Sequence, residues 1–285
     1  MKIATLKPVY QKTFPIVVFV FSLGINSYAQ FYYNDIVSGK QSQQAYLSIK
    51  NSKVNSVSAE CFDENNERND DFIFERNILN SGDRIKTILH LPHLDTTYSV
   101  SIYADNLLQT TTDSSGTIIT KTDYTYNNDN ILSLLKISTD DNFMEVQNEE
   151  LHQWFYANGK PDKMLRIKDK TDTTTVSFIT DDAGNTGEEI WKKKNRTIEH
   201  YYYYYNSSNQ LTDIVRYNEM AKQLLPDFLI EYAADGNVSA LTQVPAGSSD
   251  YTTWQYVYDA SGLKQNDVLF SKQKEIIGRI SYYYR

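Results

Sequence analysis

Apolar and polar positions in this chain alternate with the two-residue period of strands far more often than with a helical period. Val54-Asn55-Ser56-Val57-Ser58-Ala59-Glu60-Cys61-Phe62 alternates in this way. Arg84-Ile85-Lys86-Thr87-Ile88-Leu89 and Tyr98-Ser99-Val100-Ser101-Ile102-Tyr103 read as further strands. After residue 29 no window sustains a helical apolar period for long. Glu219-Met220-Ala221-Lys222-Gln223-Leu224-Leu225 is the best helical candidate, and Pro226 ends it. The 23 tyrosines, 12 phenylalanines and 3 tryptophans point the same way, because aromatic rings suit a pleated, half-buried surface. The chain reads as all-β.

From about residue 120 the pattern repeats. Tyr124-Thr125-Tyr126, Trp154-Phe155-Tyr156, Phe178-Ile179-Thr180, Tyr203-Tyr204-Tyr205, Ile230-Glu231-Tyr232 and Tyr256-Val257-Tyr258 each run into a polar turn. Their last residues, 126, 156, 180, 205, 232 and 258, are spaced by 30, 24, 25, 27 and 26. Gly or Asn, which tolerate positive φ, follows within three or four places. An apolar residue then follows: Leu135, Met164, Ile190, Ile214, Leu241 and Val268. The unit is an aromatic strand, a short turn and a returning strand. A lone hairpin is marginal in water, so neighbouring units must pair. The expected architecture is an antiparallel meander of β-hairpin repeats, either an open twisted sheet or a partly closed barrel or solenoid. Ile280-Ser281-Tyr282-Tyr283-Tyr284-Arg285 reads as its closing edge strand, with Arg285 as a charged blunt end.

Tyr258-Asp259-Ala260-Ser261-Gly262-Leu263 resembles the core of the YD repeat, the tyrosine–aspartate unit of RHS-type proteins, and Tyr205–Leu211 and Tyr232–Val238 are looser copies. The resemblance covers about residues 120–285 and implies the hairpin architecture. One literal Tyr-Asp-x-x-Gly is present and the Arg that follows Gly in that unit is missing. About six units leave no room for the shell that RHS proteins wind around a toxin. The whole chain is also similar to small exported repeat proteins of Gram-negative bacteria. Residues 30–119 are less regular and read as a divergent β region that continues and caps the same sheet.

The start of the chain adds a compartment. Lys2, Lys7 and Lys12, the apolar run Ile16–Leu23 and the small residues Ser27 and Ala29 have the layout of a cleavable secretion signal over residues 1–29. Cleavage after Ala29 would make Gln30 the first residue, and no transmembrane segment is expected after it. The expected location is the periplasm, the cell surface or the medium. Formal charge is −8 and becomes −11 without that segment, which holds three lysines and no acid. Such a chain repels phosphate backbones, so nucleic acid is not an expected partner. The single cysteine, Cys61, cannot form an internal disulfide and reads as a half-buried strand residue.

Candidate chemistry is sparse. His90, His93 and Asp95 lie close in sequence, but strand positions three apart face opposite ways and Pro92 intervenes. The acidic stretch Asp63–Asp71 lacks the Gly and Glu of a calcium loop and reads as a solvated turn. The doublets Asp140-Asp141, Glu149-Glu150, Asp181-Asp182 and Glu188-Glu189 place neighbouring carboxyls on opposite faces, so no doublet alone supplies a glycosidase pair. Trp191–Arg196, rich in lysine, reads as a hairpin turn. No nucleophile motif or phosphate-binding Gly loop is present, and neither catalysis nor a cofactor or metal is expected. The candidate binding surface is aromatic: Trp154, Tyr156, Tyr203, Tyr205, Trp254, Tyr256 and Tyr258. Exposed, such rings pack on sugars or peptides, and buried, they stack across strands. The expected function is an exported, non-catalytic β-repeat scaffold or binding module for a cell-surface glycan or protein. The alternatives are an enzyme on extracellular polysaccharide and an outer-membrane β-barrel.

Overall fold

The structure is a computed structural model describing residues 30–218, 222–245 and 248–285. The secretion signal expected over residues 1–29 lies outside these. Among the described residues the chain opens with a wide, π-helical turn, Tyr32–Val37, that runs on into α1, Ser38–Asn51. Eighteen strands follow. The first six are β1 Ser56–Asp63, β2 Ile73–Leu79, β3 Arg84–His90, β4 Thr97–Ala104, β5 Leu107–Ser115 and β6 Ile118–Tyr126. Next come β7 Leu132–Asp141, β8 Val146–Ala157, β9 Lys160–Lys168, β10 Asp172–Thr180, β11 Thr186–Lys193 and β12 Arg196–Tyr205. The last six are β13 Leu211–Asn218, β14 Gln223–Tyr232, β15 Val238–Gln243, β16 Thr252–Tyr258, β17 Lys264–Phe270 and β18 Ile276–Tyr284.

Each strand pairs antiparallel with the next, and all lie in one sheet. β18 then pairs with β1, from Val57 opposite Tyr284 to Asp63 opposite Gly278. The meander is therefore a closed barrel, and the last strand is not the edge that its sequence position suggested. Closure satisfies the row of backbone groups that an open edge would leave bare.

One turn recurs around one end of the barrel. The residue after the strand both donates to and accepts from the loop, as in Asn206 N–H to Gln210 O and Asn209 N–H to Asn206 O, each 3.0 Å. The same pair of bonds closes the turns at Asn127, Asp181, Ala233 and Asp259. The fourth position is left-handed at Asn130, Gly184, Asn209, Gly236 and Gly262. This is the Gly or Asn that the repeat requires, and a one-residue register shift follows in the ladder. The side chains of Asn127, Asp181, Asn206 and Asp259 accept backbone N–H groups of their own turns.

A barrel of this strand number encloses more space than its own small side chains fill. Here residues 30–51 and the strand aromatics occupy it. Phe31, Tyr33 and Ile36 join one core cluster with Leu135, Trp154, Met164, Trp191, Tyr203 and Ile214. Ile49 and Val54 join a second with Cys61, Phe74, Trp254 and Ile280. The helix had no strong sequence signal, because few of its residues are apolar, though Tyr33 and Ile36, and again Tyr46 and Ile49, fall three apart and are buried. Conversely, Gln223, Leu224 and Leu225 of the expected helix belong to β14, while residues 219–221 lie outside the described set. Pro226 is accommodated at a register shift between Ile214 and Val215 of the neighbouring strand.

Candidate functional site

The seven aromatics expected to form a binding surface do share a face, but it is the inner one. Trp154, Tyr203 and Trp254 are buried at 4%, 3% and 5% exposure. Tyr156, Tyr205 and Tyr256 are half-buried and packed against the core, and Tyr258 is half-buried. Strand alternation explains this: Tyr203 and Tyr205 point inward, and Tyr202 and Tyr204 point out. The inner face already holds a peptide, the chain's own residues 30–51.

Three acids anchor that peptide. Glu189 of β11, fully buried, accepts the backbone N–H groups of Phe31 and Tyr32 at 2.9 and 3.0 Å. It also accepts Trp191 Nε1–H and Tyr203 O–H, both at 2.5 Å. The first N–H groups of a helix have no partner within it, and a carboxylate at that end is electrostatically favoured. Glu189 is thus a helix cap supplied by the wall. Burial pushes its carboxyl above the usual range, and the four donors oppose that rise.

Asp35 is the second anchor. Its Oδ2 meets His152 Nδ1 at 2.6 Å and accepts Trp154 Nε1–H at 3.1 Å. His152 Nε2 lies 2.8 Å from Glu150 Oε1, and Arg166 clasps Glu150 through Nε and Nη2 at 2.8 and 2.7 Å. Burial works against a charged His152, but Asp35 and Glu150 push it up to about 9. Burial likewise opposes ionisation of Glu150, yet His152 and Arg166 bring it down to about 2. The network alternates charge from plug to wall: Asp35, His152, Glu150, Arg166. The third anchor is Asp227 of β14, which accepts Gln30 Nε2–H at 3.0 Å and Arg216 Nη2–H at 3.1 Å.

Rings complete the socket. Phe31 stacks on Trp191 at 4.4 Å and meets His152 edge-on at 4.8 Å. Tyr32 meets Tyr203 edge-on at 5.3 Å, and Tyr33 stacks on Phe228 at 5.3 Å. Farther along, Tyr46 of α1 lies flat on Tyr103 at 3.8 Å.

Asp227, His152 and Asp35 were not candidates from the sequence, and Glu189 stood there only within the Glu188-Glu189 doublet. One signal was present. The residue nine places after the strand-end anchor faces inward: Leu135, Ile214 and Leu241 are buried there. Glu189 and Asp267 hold the same place after residues 180 and 258 and are also buried. The apolar Ile190 and Val268, one place on, are only half-buried.

On the outer wall, a groove of about 420 Å³ runs between the turns that follow β10 and β12. Ile179, Asp181, Asn185, Tyr202, Tyr204 and Asn209 line it. Asn185 Nδ2 donates to Asn209 Oδ1 at 3.2 Å, tying the two turns together. Tyr204 is 47% exposed. Beside it His200 stacks on Tyr202 at 4.2 Å, and its Nε2 lies 2.7 Å from Glu188 Oε2. Rings, carboxylates and amides on one open surface can stack on and hydrogen-bond to a polyhydroxylated ligand.

The remaining candidates stand apart. His90 Nδ1 meets Thr96 Oγ1 at 3.0 Å, and His93 sits in a left-handed loop position. Among the described residues no three His, Cys, Asp or Glu side chains gather as a metal site. Lys193 ends β11, and Lys194 and Asn195 form the turn, both at positive φ. Cys61 is fully buried on the inner face of β1 rather than half-buried.

No family model matches the chain, and no curated protein matches it. Solved structures with similar regions include a porin-like protein from Bacteroides uniformis, at 10% identity and a TM-score of 0.39 over 81% of this chain and 98% of that one. A porin-like protein from Bacteroides vulgatus covers the same shares at 10% identity and a TM-score of 0.21. The Tc holotoxin pore of Photorhabdus luminescens is similar at 11% identity and a TM-score of 0.34, over 75% of this chain but 12% of that one. The barrel assignment rests on this chain's own strand pairing, and these likenesses add nothing to it.

Proposed function

We propose that the protein is an exported, non-catalytic β-barrel scaffold that binds a cell-surface glycan through the outer groove around Tyr202 and Tyr204. The observation that carries this reading is the occupation of the inner aromatic face by residues 30–51, which leaves the outer wall as the surface on offer. The groove combines an exposed ring with amide and carboxylate side chains, a mixture suited to sugar hydroxyls. The hairpin turns agree with the resemblance to YD repeats at the level of the single unit.

The outer wall argues against the outer-membrane alternative. Lys136, midway along β7, pairs with Glu149 in the first half of β8 at 2.7 Å, and Lys121 and Asp123 pair at 2.9 Å on β6. Glu60 of β1 pairs with Arg68 at 2.6 Å. A basic residue facing lipid near mid-bilayer costs about 2–4 kcal/mol, so these pairs interrupt the apolar band that such a barrel needs. The test is an array of polysaccharides probed with the exported protein and with Tyr204→Ala and Asn209→Ala variants. Saturable binding that both substitutions weaken supports the groove. Binding untouched by either, or none at all, removes the glycan reading and leaves a protein partner. Recovery of the protein in outer-membrane fractions after high-salt washing would favour the membrane alternative.

A further inference from the structure

The inner end of the plug carries an unbalanced set of charges. Gln30 O accepts the N–H of Asn34 at 2.9 Å, so Gln30 begins the helical segment. Its backbone nitrogen therefore points back along the helix axis, as do those of Phe31 and Tyr32, which reach Glu189. Gln30 itself is 3% exposed. Glu189 of β11, Glu199 of β12 and Asp227 of β14 converge on this end. Arg216 of β13 is the cation among them, 3.1 Å from Asp227 and 3.7 Å from Glu199. Burial raises all three carboxyls above their usual range.

A second, independent feature lies in the same place. Tyr201 is completely buried, and its hydroxyl has no hydrogen-bond partner among the described residues. Arg216 lies over its ring at 5.7 Å, and Glu199, Asp227 and Glu189 are all near enough to disfavour its ionisation. Buried hydroxyls are almost always bonded. An unpartnered one beside three acids and one arginine marks a place for a further cationic donor.

We infer that this pocket is the receptor for the α-ammonium group of the processed chain. Hydrolysis of the Ala29–Gln30 bond adds water across it: the leader leaves with Ala29 as a carboxylate, and the Gln30 nitrogen takes up a proton. One amide N–H thereby becomes three N–H donors and a positive charge, matched to Asp227, Glu199 and the Tyr201 oxygen. An ammonium at the positive end of a helix is otherwise disfavoured, which gives the three acids their role. The cut and the seating of the plug are then coupled, because the unprocessed chain lacks the charge that the pocket is built to hold.

The inference rests on the export reading, and one set of measurements separates the two. The exported protein is purified and its N-terminus read by intact mass. A second exported chain carries one alanine inserted between Ala29 and Gln30, which moves the amine one residue away from the pocket. In the unmodified protein the amine is expected to react with an amine-selective acylating reagent roughly tenfold or more slowly than in the insertion variant, as for groups exposed only by local opening. Asp227→Asn should speed the reaction in the unmodified protein and change it little in the insertion variant. If Asp227→Asn does not fold, the insertion comparison decides alone. Equal reaction rates overturn the pocket. A Gln30 cyclised to a lactam, with loss of ammonia, also overturns it, since no ammonium is left. A mature N-terminus elsewhere removes the cut itself.

Discussion

The hydroxyl of Tyr232 donates to the carbonyl of Leu211 at 2.8 Å, reaching from the end of one hairpin strand to the first return residue of the hairpin before it. The same bond recurs from Tyr126 to Leu108, Tyr156 to Leu132, Tyr205 to Thr186 and Tyr284 to Lys264. It explains why the units ending at 126, 156, 205 and 232 close in tyrosine rather than phenylalanine: each ring covers the interior while its hydroxyl pins the neighbouring unit. Tyr232→Phe and Tyr156→Phe should each lower unfolding stability by about 1 kcal/mol in urea titrations. On separate hairpins the two losses should add.

Glu189 accepts from four donors that have no other partner among the described residues. Glu189→Ala should destabilise the protein by roughly 3–5 kcal/mol, because it leaves several buried neutral donors without an acceptor, each costing about 1–3 kcal/mol. The first element to loosen should be residues 30–51. Limited proteolysis should cut within α1 of the variant under conditions that leave the parent intact. Glu189→Gln, which keeps two acceptor lone pairs but not the charge, should fall between the two.

The Asp35–His152–Glu150 chain sets a pH window. His152 titrates at about 9 in the fold, above its unfolded value near 6.5. Its contribution is complete below about pH 6.5 and is lost as pH rises through 9. Glu150 is brought down to about 2, so its contribution is present above about pH 4.5 and is lost as pH falls toward 2. For this network, the melting temperature should be highest between about pH 4.5 and 6.5, and His152→Gln should flatten the alkaline decline.

Cys61 reports on barrel closure. It lies opposite Ile280 in the β1–β18 seam, and burial pushes its thiol up to about 11. The native protein should react with a thiol reagent such as maleimide at the rate of seam opening rather than at the rate of a free thiol. Substituting Ile280 by alanine should speed labelling more than an equally buried substitution at Ile214, which is remote from the seam.

Much of the hairpin wall was legible in the sequence. The turns after 126, 205, 232 and 258, with their left-handed Asn or Gly and capping Asx residues, are local chemistry, set within four or five residues. So is the choice of strand, which follows from period-two alternation and aromatic content. Alternation states that Tyr203 and Tyr204 face opposite ways, and a local pattern does not say which of them faces inside. That choice belongs to barrel closure, a pairing of Val57 with Tyr284 across nearly the whole chain. Tertiary structure also made a helix of residues 32–51, whose own apolar pattern is weak, by giving Tyr33, Tyr46 and Ile49 aromatic and aliphatic surfaces to bury against. It made a site of Glu189, His152, Asp35 and Asp227, which are ordinary polar residues in sequence. They become anchors because closure removes water from them and brings their partners in from strands and helix far apart along the chain.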